Sequence, residues 1–155
     1  MTKIIKSIEI DALPKKVWTL IVQHLKYPDH PADEEGVPPI KAVRGKAISK
    51  KRAGVGVTTR WTYEFKGKTY TWDDIVTEWV DNKRIAWKST STWQMEDSFD
   101  LEPTEKGTRL IYTMDYKLPY GFLEWIYGKL RLQKPMEKTL ENTLMNMKRM
   151  VEKLP

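Results

Sequence analysis

The chain has 155 residues, 27 basic against 21 acidic side chains, a formal charge of +6 and no cysteine. That length suits one domain, residues 1–155, burying roughly 68–70% of its unfolded surface. The lack of cysteine excludes a disulfide framework, a thiolate zinc site and a cysteine nucleophile. No run of 18 apolar residues occurs, so no membrane span is expected. The first residues, MTKIIKSIEID, alternate and carry charge where a signal peptide would be apolar. A cytoplasmic protein is the expectation. The aromatic content is less ordinary, with seven tryptophans.

Residues 3–11 alternate, with Ile8 and Ile10 opposed to Glu9 and Asp11, which reads as a half-buried strand. Pro14 suits the first turn of a helix, where its missing N–H has no partner. Val17, Trp18, Ile21, Val22 and Leu25 then share one helical face. That helix should end near His24 to Tyr27, because Pro28 and Pro31 oppose continuation. Residues 28–39 form a polar, proline-rich connection with room for one short helical turn.

From Ile40 the pattern turns to strands. Residues 40–49 precede a basic turn at Lys50–Ala53, and Gly54 and Gly56 open the next strand. There Val55, Val57, Thr59, Trp61, Tyr63 and Phe65 hold one phase, against Thr58, Arg60, Thr62 and Glu64. Lys66-Gly67-Lys68 signals a hairpin. Further strands fall at 69–80, 84–93, 95–102 and 108–118. Turns at Asp81-Asn82-Lys83 and Glu105-Lys106-Gly107 separate them. After Pro119 and Gly121 a helical stripe begins. Met136, Leu140, Leu144, Met147, Val151 and Leu154 recur at steps of four and three. Pro135 is expected to kink this helix or divide it.

The order of elements gives an α+β fold: an antiparallel sheet of about seven strands, helices on one face, and a long last helix. Four stretches then carry a resemblance. They are Ile8-Glu-Ile-Asp-Ala-Leu-Pro-Lys-Lys-Val-Trp18; Gly54-Val-Gly-Val-Thr-Thr-Arg60; Val76-Thr-Glu-Trp79 with Arg84-Ile-Ala-Trp87; and Gly107-Thr-Arg-Leu-Ile-Tyr112. In this order and spacing the chain resembles the START-like helix-grip (SRPBCC) superfamily, within it the polyketide cyclase/dehydrase-like branch. The resemblance implies a curved sheet wrapped around the last helix, with one or two short helices after the first strand and an apolar cavity between sheet and helix. Members bind lipids, sterols, quinones, plant hormones or polyketides, and only some catalyse a reaction.

The ligand-binding candidates are Trp61, Tyr63, Trp72, Trp87, Tyr112 and Met114 on strand phases assigned to the inner face, with Trp125, Met136 and Leu140 on the covering helix. Ligand pockets are mostly aromatic and apolar with few polar anchors, but the same side chains would serve equally to fill a core. Asp74 is the polar candidate. If the even phase of residues 70–78 faces inward, Asp74 and Glu78 enter the cavity, and burial would raise their pKa. A bulge would switch that phase, and Asp73 and Asp74 would be solvated at a strand end if it did not face inward. Asp97 has the same ambiguity. Arg60 reads as a surface residue with cross-strand partners.

Other chemistry finds little support. His24 and His30 lack the spacing of a helical metal pair and a third ligand, so no metal and no cofactor are expected. No G-x-S-x-G elbow occurs, and Gly54-x-Gly56 precedes a strand where a dinucleotide motif needs a helix. The run Lys41, Arg44, Lys46, Lys50, Lys51 and Arg52 reads first as a solvated edge that resists pairing. It leaves transient membrane-surface contact open, whereas nucleic acid is not expected, because the aromatics share apolar phases.

Three functions follow. The preferred one is a carrier for a hydrophobic small molecule such as a lipid, isoprenoid quinone or polyketide. The second is a cyclase, dehydrase or hydratase using Asp74 or Glu78 with Tyr63 or Tyr112, less favoured because no convincing catalytic pair assembles. The third is a protein-interaction module, since the resembled fold includes chaperone activators and ribosome-associated factors. Oligomeric state is open.

Overall fold

The computed structural model describes residues 2–26, 41–65, 67–90, 94–117 and 122–155. The proline-rich connection at 28–39 lies outside them, as do the side chains of Tyr63 and Trp125. Chain order is β1 (Thr2–Ile10), α1 (Pro14–Lys26), β2 (Lys41–Ala47), β3 (Thr58–Phe65), β4 (Lys68–Val80), β5 (Arg84–Ser89), β6 (Gln94–Pro103), β7 (Thr108–Lys117) and α2 (Phe122–Lys153). Among the described residues these strands form one curved antiparallel sheet in the order β1-β7-β6-β5-β4-β3-β2. Every neighbour except β1 beside β7 is a sequence neighbour, so hairpins build most of it.

Period two sets which side chains enter the core. On β7, Thr108, Leu110, Tyr112, Met114 and Tyr116 are all buried, while Arg109 is exposed. On β6 the matching set is Asp97, Phe99 and Leu101, and on β1 it includes Ile4 and Ile10. α1 begins on Pro14 and buries Val17, Trp18, Leu20 and Ile21, with Trp18 edge-on to Trp79 of β4 at 5.2 Å. α2 buries Leu140, Leu144 and Val151 against this face, with Met136 and Met147 packed at its margin. The helix is tied to β1 by Lys6–Glu141 and by Lys148, which donates to the Glu9 carbonyl at 2.7 Å.

Three expectations change. The helix runs through Pro135 as one segment from Phe122 to Lys153, without division. Proline removes one helical N–H, and the packed face on its C-terminal side holds the segment together. Leu154 lies past the last helical residue and is 38% exposed, so the buried stripe ends at Val151. Val55 stands in the loop before β3 and is exposed; the inward phase of that strand starts at Val57.

The joint between β6 and β7 holds the sheet to the start of α1. Gly107 adopts φ +149°, and a Cβ there would stand 2.5 Å from the Ile10 carbonyl and 2.6 Å from the Ala12 nitrogen. The next residue, Thr108, donates its hydroxyl to the Ala12 carbonyl at 2.6 Å.

Candidate functional site

β4 is long and irregular. Its register against β5 runs Asp74 to Ser89 and Val76 to Trp87, shifts between Val76 and Glu78, then resumes with Trp79 opposite Ile85. The extra residue changes the inward phase from even to odd. Trp72, Asp74 and Val76 share the inner face with Trp79. Glu78 does not join them: it is exposed and accepts from the Arg84 guanidinium at 2.8 Å, while Arg84 also holds Asp100. The placement of Glu78 beside Asp74 is therefore corrected by the bulge. Asp73, on the other phase, pairs with Arg60 across β3 at 2.8 Å, as expected of a surface arginine.

Asp74 lies between Thr59 of β3 and Ser89 of β5. Its carboxylate accepts from the Ser89 hydroxyl, and Trp72 and Trp61 face each other across β3 and β4 two residues along the same face. Burial pushes this carboxyl up to about 6; the Ser89 hydroxyl and the nearby indole dipoles oppose the rise, and the charge of Asp73 adds to it. His24 of α1 stacks on Trp61 at 5.8 Å.

Two strands further, on β6, Asp97 sits between Trp87 and Met114 in the register and is 8% exposed. The Tyr112 hydroxyl donates to its Oδ2 at 2.9 Å. Its Oδ1 is buried with no hydrogen-bond partner among the described residues. Burial pushes Asp97 up to about 7; Tyr112 opposes this and the charge of Asp74 adds to it. Tyr112 is driven well above its ordinary value by burial and by the same carboxylate. Trp87, Phe99 and Tyr112 form the surrounding ring cluster, with centroids 4.7 to 6.1 Å apart.

The sequence candidates thus separate. Trp61, Trp72, Asp74, Trp87, Tyr112 and Met114 come together on the inner face. Met136 and Leu140 stand on α2, with Leu140 fully buried in the core. Asp97, given less weight than Asp74, is the more deeply buried carboxyl. Its signal was available: the tight turn at 105–107 fixes the β6–β7 register, which puts Asp97 diagonally beside Tyr112. Among the described residues no cluster of His, Cys, Asp and Glu could hold a metal ion. No described helix is long and apolar enough to cross a membrane.

A curved antiparallel sheet with a long terminal helix on its inner face is the helix-grip α+β arrangement. Residues 1–152 match the family described as polyketide cyclase/dehydrase and lipid transport, and the chain belongs to it. Its structure is similar to TTHA0849 from Thermus thermophilus (22% identity, 97% of each chain covered, TM-score 0.70). It is also similar to the Zhui aromatase/cyclase from Streptomyces sp. R1128 (15% identity, 97% of this chain and 93% of that one, TM-score 0.73). A third likeness is to the Aha1 dimer from Colwellia psychrerythraea (21% identity, 99% and 98% covered, TM-score 0.61). At these identities the likenesses concern the fold. No curated protein matches the chain.

Proposed function

We propose that the protein binds a hydrophobic small molecule, of lipid, isoprenoid quinone or polyketide-like chemistry, against the inner face of the sheet near Asp97. One observation carries the reading. A carboxyl oxygen of Asp97 is buried amid Trp87, Phe99 and Tyr112 with no partner among the described residues. An orphaned buried acceptor costs about 1–3 kcal/mol, a cost that a bound donor would relieve. Aromatic walls with few polar anchors are the usual chemistry of such sites, and membership of a family that includes lipid transport is in keeping with it. The test is a thermal-shift panel of a long-chain alcohol, a long-chain amine, a quinone and an aromatic polyketide. At a hundredfold excess over Kd a ligand adds about 2.7 kcal/mol, so at least one member should raise Tm by several degrees. A panel that leaves Tm unchanged would rule the reading out.

Acid–base chemistry of the cyclase or dehydrase kind is a second reading, and the Asp97–Tyr112 pair supports it. General catalysis works best with a pKa near the operating pH, and the Asp97 carboxyl is pushed up to about 7. Protonated, Asp97 would give its proton to a departing hydroxyl as the C–O bond breaks. The neighbouring Asp74 carboxylate would take the proton from carbon, releasing water and leaving a double bond. Under this reading Asp97→Asn retains binding and loses turnover.

A further inference from the structure

Asp74 and Asp97 differ in what they already hold. Asp74 has a side-chain donor in Ser89, and neither of its oxygens is among the buried described atoms left without a partner. Asp97 has one, and its second oxygen has none among the described residues. The two carboxyls feel each other's charge. No described Lys or Arg is paired with either, since Arg60 is held by Asp73, Arg84 by Glu78 and Asp100, and Lys6 by Glu141. Among the described residues the other charged or titratable groups facing this region are Tyr112 of β7, His24 of α1 on Trp61, and Glu137 of α2, which bears on Tyr116. Among the described residues the inner face therefore carries two carboxyls with no cation paired to them, set among indole and phenol rings.

Resting on the proposed binding of a hydrophobic molecule, we infer that the ligand carries a protonated amine whose N–H groups donate to the free Asp97 oxygen. A ligand carboxylate would meet two like charges in apolar surroundings and would be rejected. A neutral alcohol would fill the acceptor but leave the charge unbalanced. A cation satisfies both, and the rings around Asp97 favour it further, because an aromatic face attracts positive charge. A buried charge is tolerated where it is paired and hydrogen-bonded, which is what the ammonium supplies to Asp97.

The probes are three isosteres of one aromatic body: naphthylmethylamine, naphthylmethanol and naphthoate, titrated calorimetrically into the full chain. At about pH 8, above the raised carboxyl range, the amine should bind at least about tenfold tighter than the alcohol, with naphthoate weakest. The amine-to-alcohol ratio should shrink about tenfold toward pH 5, where Asp97 holds its own proton. In Asp97→Asn the ratio at about pH 8 should fall by a similar factor, and the pH dependence in the unaltered protein stands as the test should that variant not fold. Alcohol binding equal to amine binding at both pH values would overturn the inference while leaving the hydrophobic-ligand reading in place. Tighter binding of naphthoate would overturn it too. Binding of none of the three overturns it, and together with an unresponsive thermal-shift panel removes the reading beneath it.

Discussion

Asp97 is held by Tyr112 through one oxygen and by nothing described through the other, and its environment favours the neutral acid. The consequence for stability has a definite sign. The folded protein holds the proton with a pKa raised from 3.8 to about 7, so between those values it binds more protons than the unfolded chain. Stability falls as pH rises through that window and is flat on either side. Each such group contributes a slope of at most about 1.4 kcal/mol per pH unit. Other carboxyls act in the opposite direction, as Glu152 does beside Lys148. The informative quantity is therefore the difference between the protein and Asp97→Asn in urea unfolding. The unaltered protein should lose ground to the variant between about pH 4 and 7 and hold a constant gap above about 8. A difference independent of pH would mean that Asp97 is not buried as described. At this scale the sequence was readable for residue type but not for setting. Asp74 and Glu78 share a phase in any unbroken strand, and the bulge that separates them leaves no mark in period-two counting. Without it the β4–β5 turn would set Asp74 opposite Thr90; with it the partner is Ser89.

Elements were more legible than their exceptions. β3 alternates so regularly that Val57, Thr59 and Trp61 could be put on one face from the sequence, and the turn glycines and Asn82 marked the hairpins. Pro135 does not divide α2, because tertiary packing decides there: Leu140, Leu144 and Val151 bury a continuous face beyond it. Gly107 was legible as a turn residue, but its closeness to the β1–α1 junction comes from β1 pairing with β7, a contact across most of the chain. Gly107→Ala should cost about 2–4 kcal/mol, strain at positive φ plus overpacking against backbone that cannot retreat. Gly56→Ala provides the comparison. Its φ is +95° with nothing within 4 Å of the added carbon, so only about 1 kcal/mol of strain is expected. Equal urea midpoints for the two variants would show that the β7 turn does not press on Ile10 and Ala12.

For the whole molecule, helix and sheet have divided roles. The β1–β7 end is sealed by α2 with a dense apolar core, Ile4, Leu110, Leu140 and Leu144 among its members. Toward β3 and β4 the inner face carries partly buried Trp61, Trp72 and Asp74. The architecture followed from the order of elements, but this gradient did not, because it depends on which strands the last helix covers. Proposed ligand contact belongs to the aromatic and carboxyl side. The seven indole N–H groups give the most direct measurement, as resolved proton–nitrogen NMR signals. On adding a ligand that raises Tm, the signals of Trp61 and Trp72, on the same face as Asp74, and of Trp87, opposite Asp97, should move. Trp18 and Trp79, packed edge to face at 5.2 Å, should stay in place. Shifts confined to Trp18 and Trp79, with Trp61, Trp72 and Trp87 unmoved at saturation, would contradict a binding site on that face.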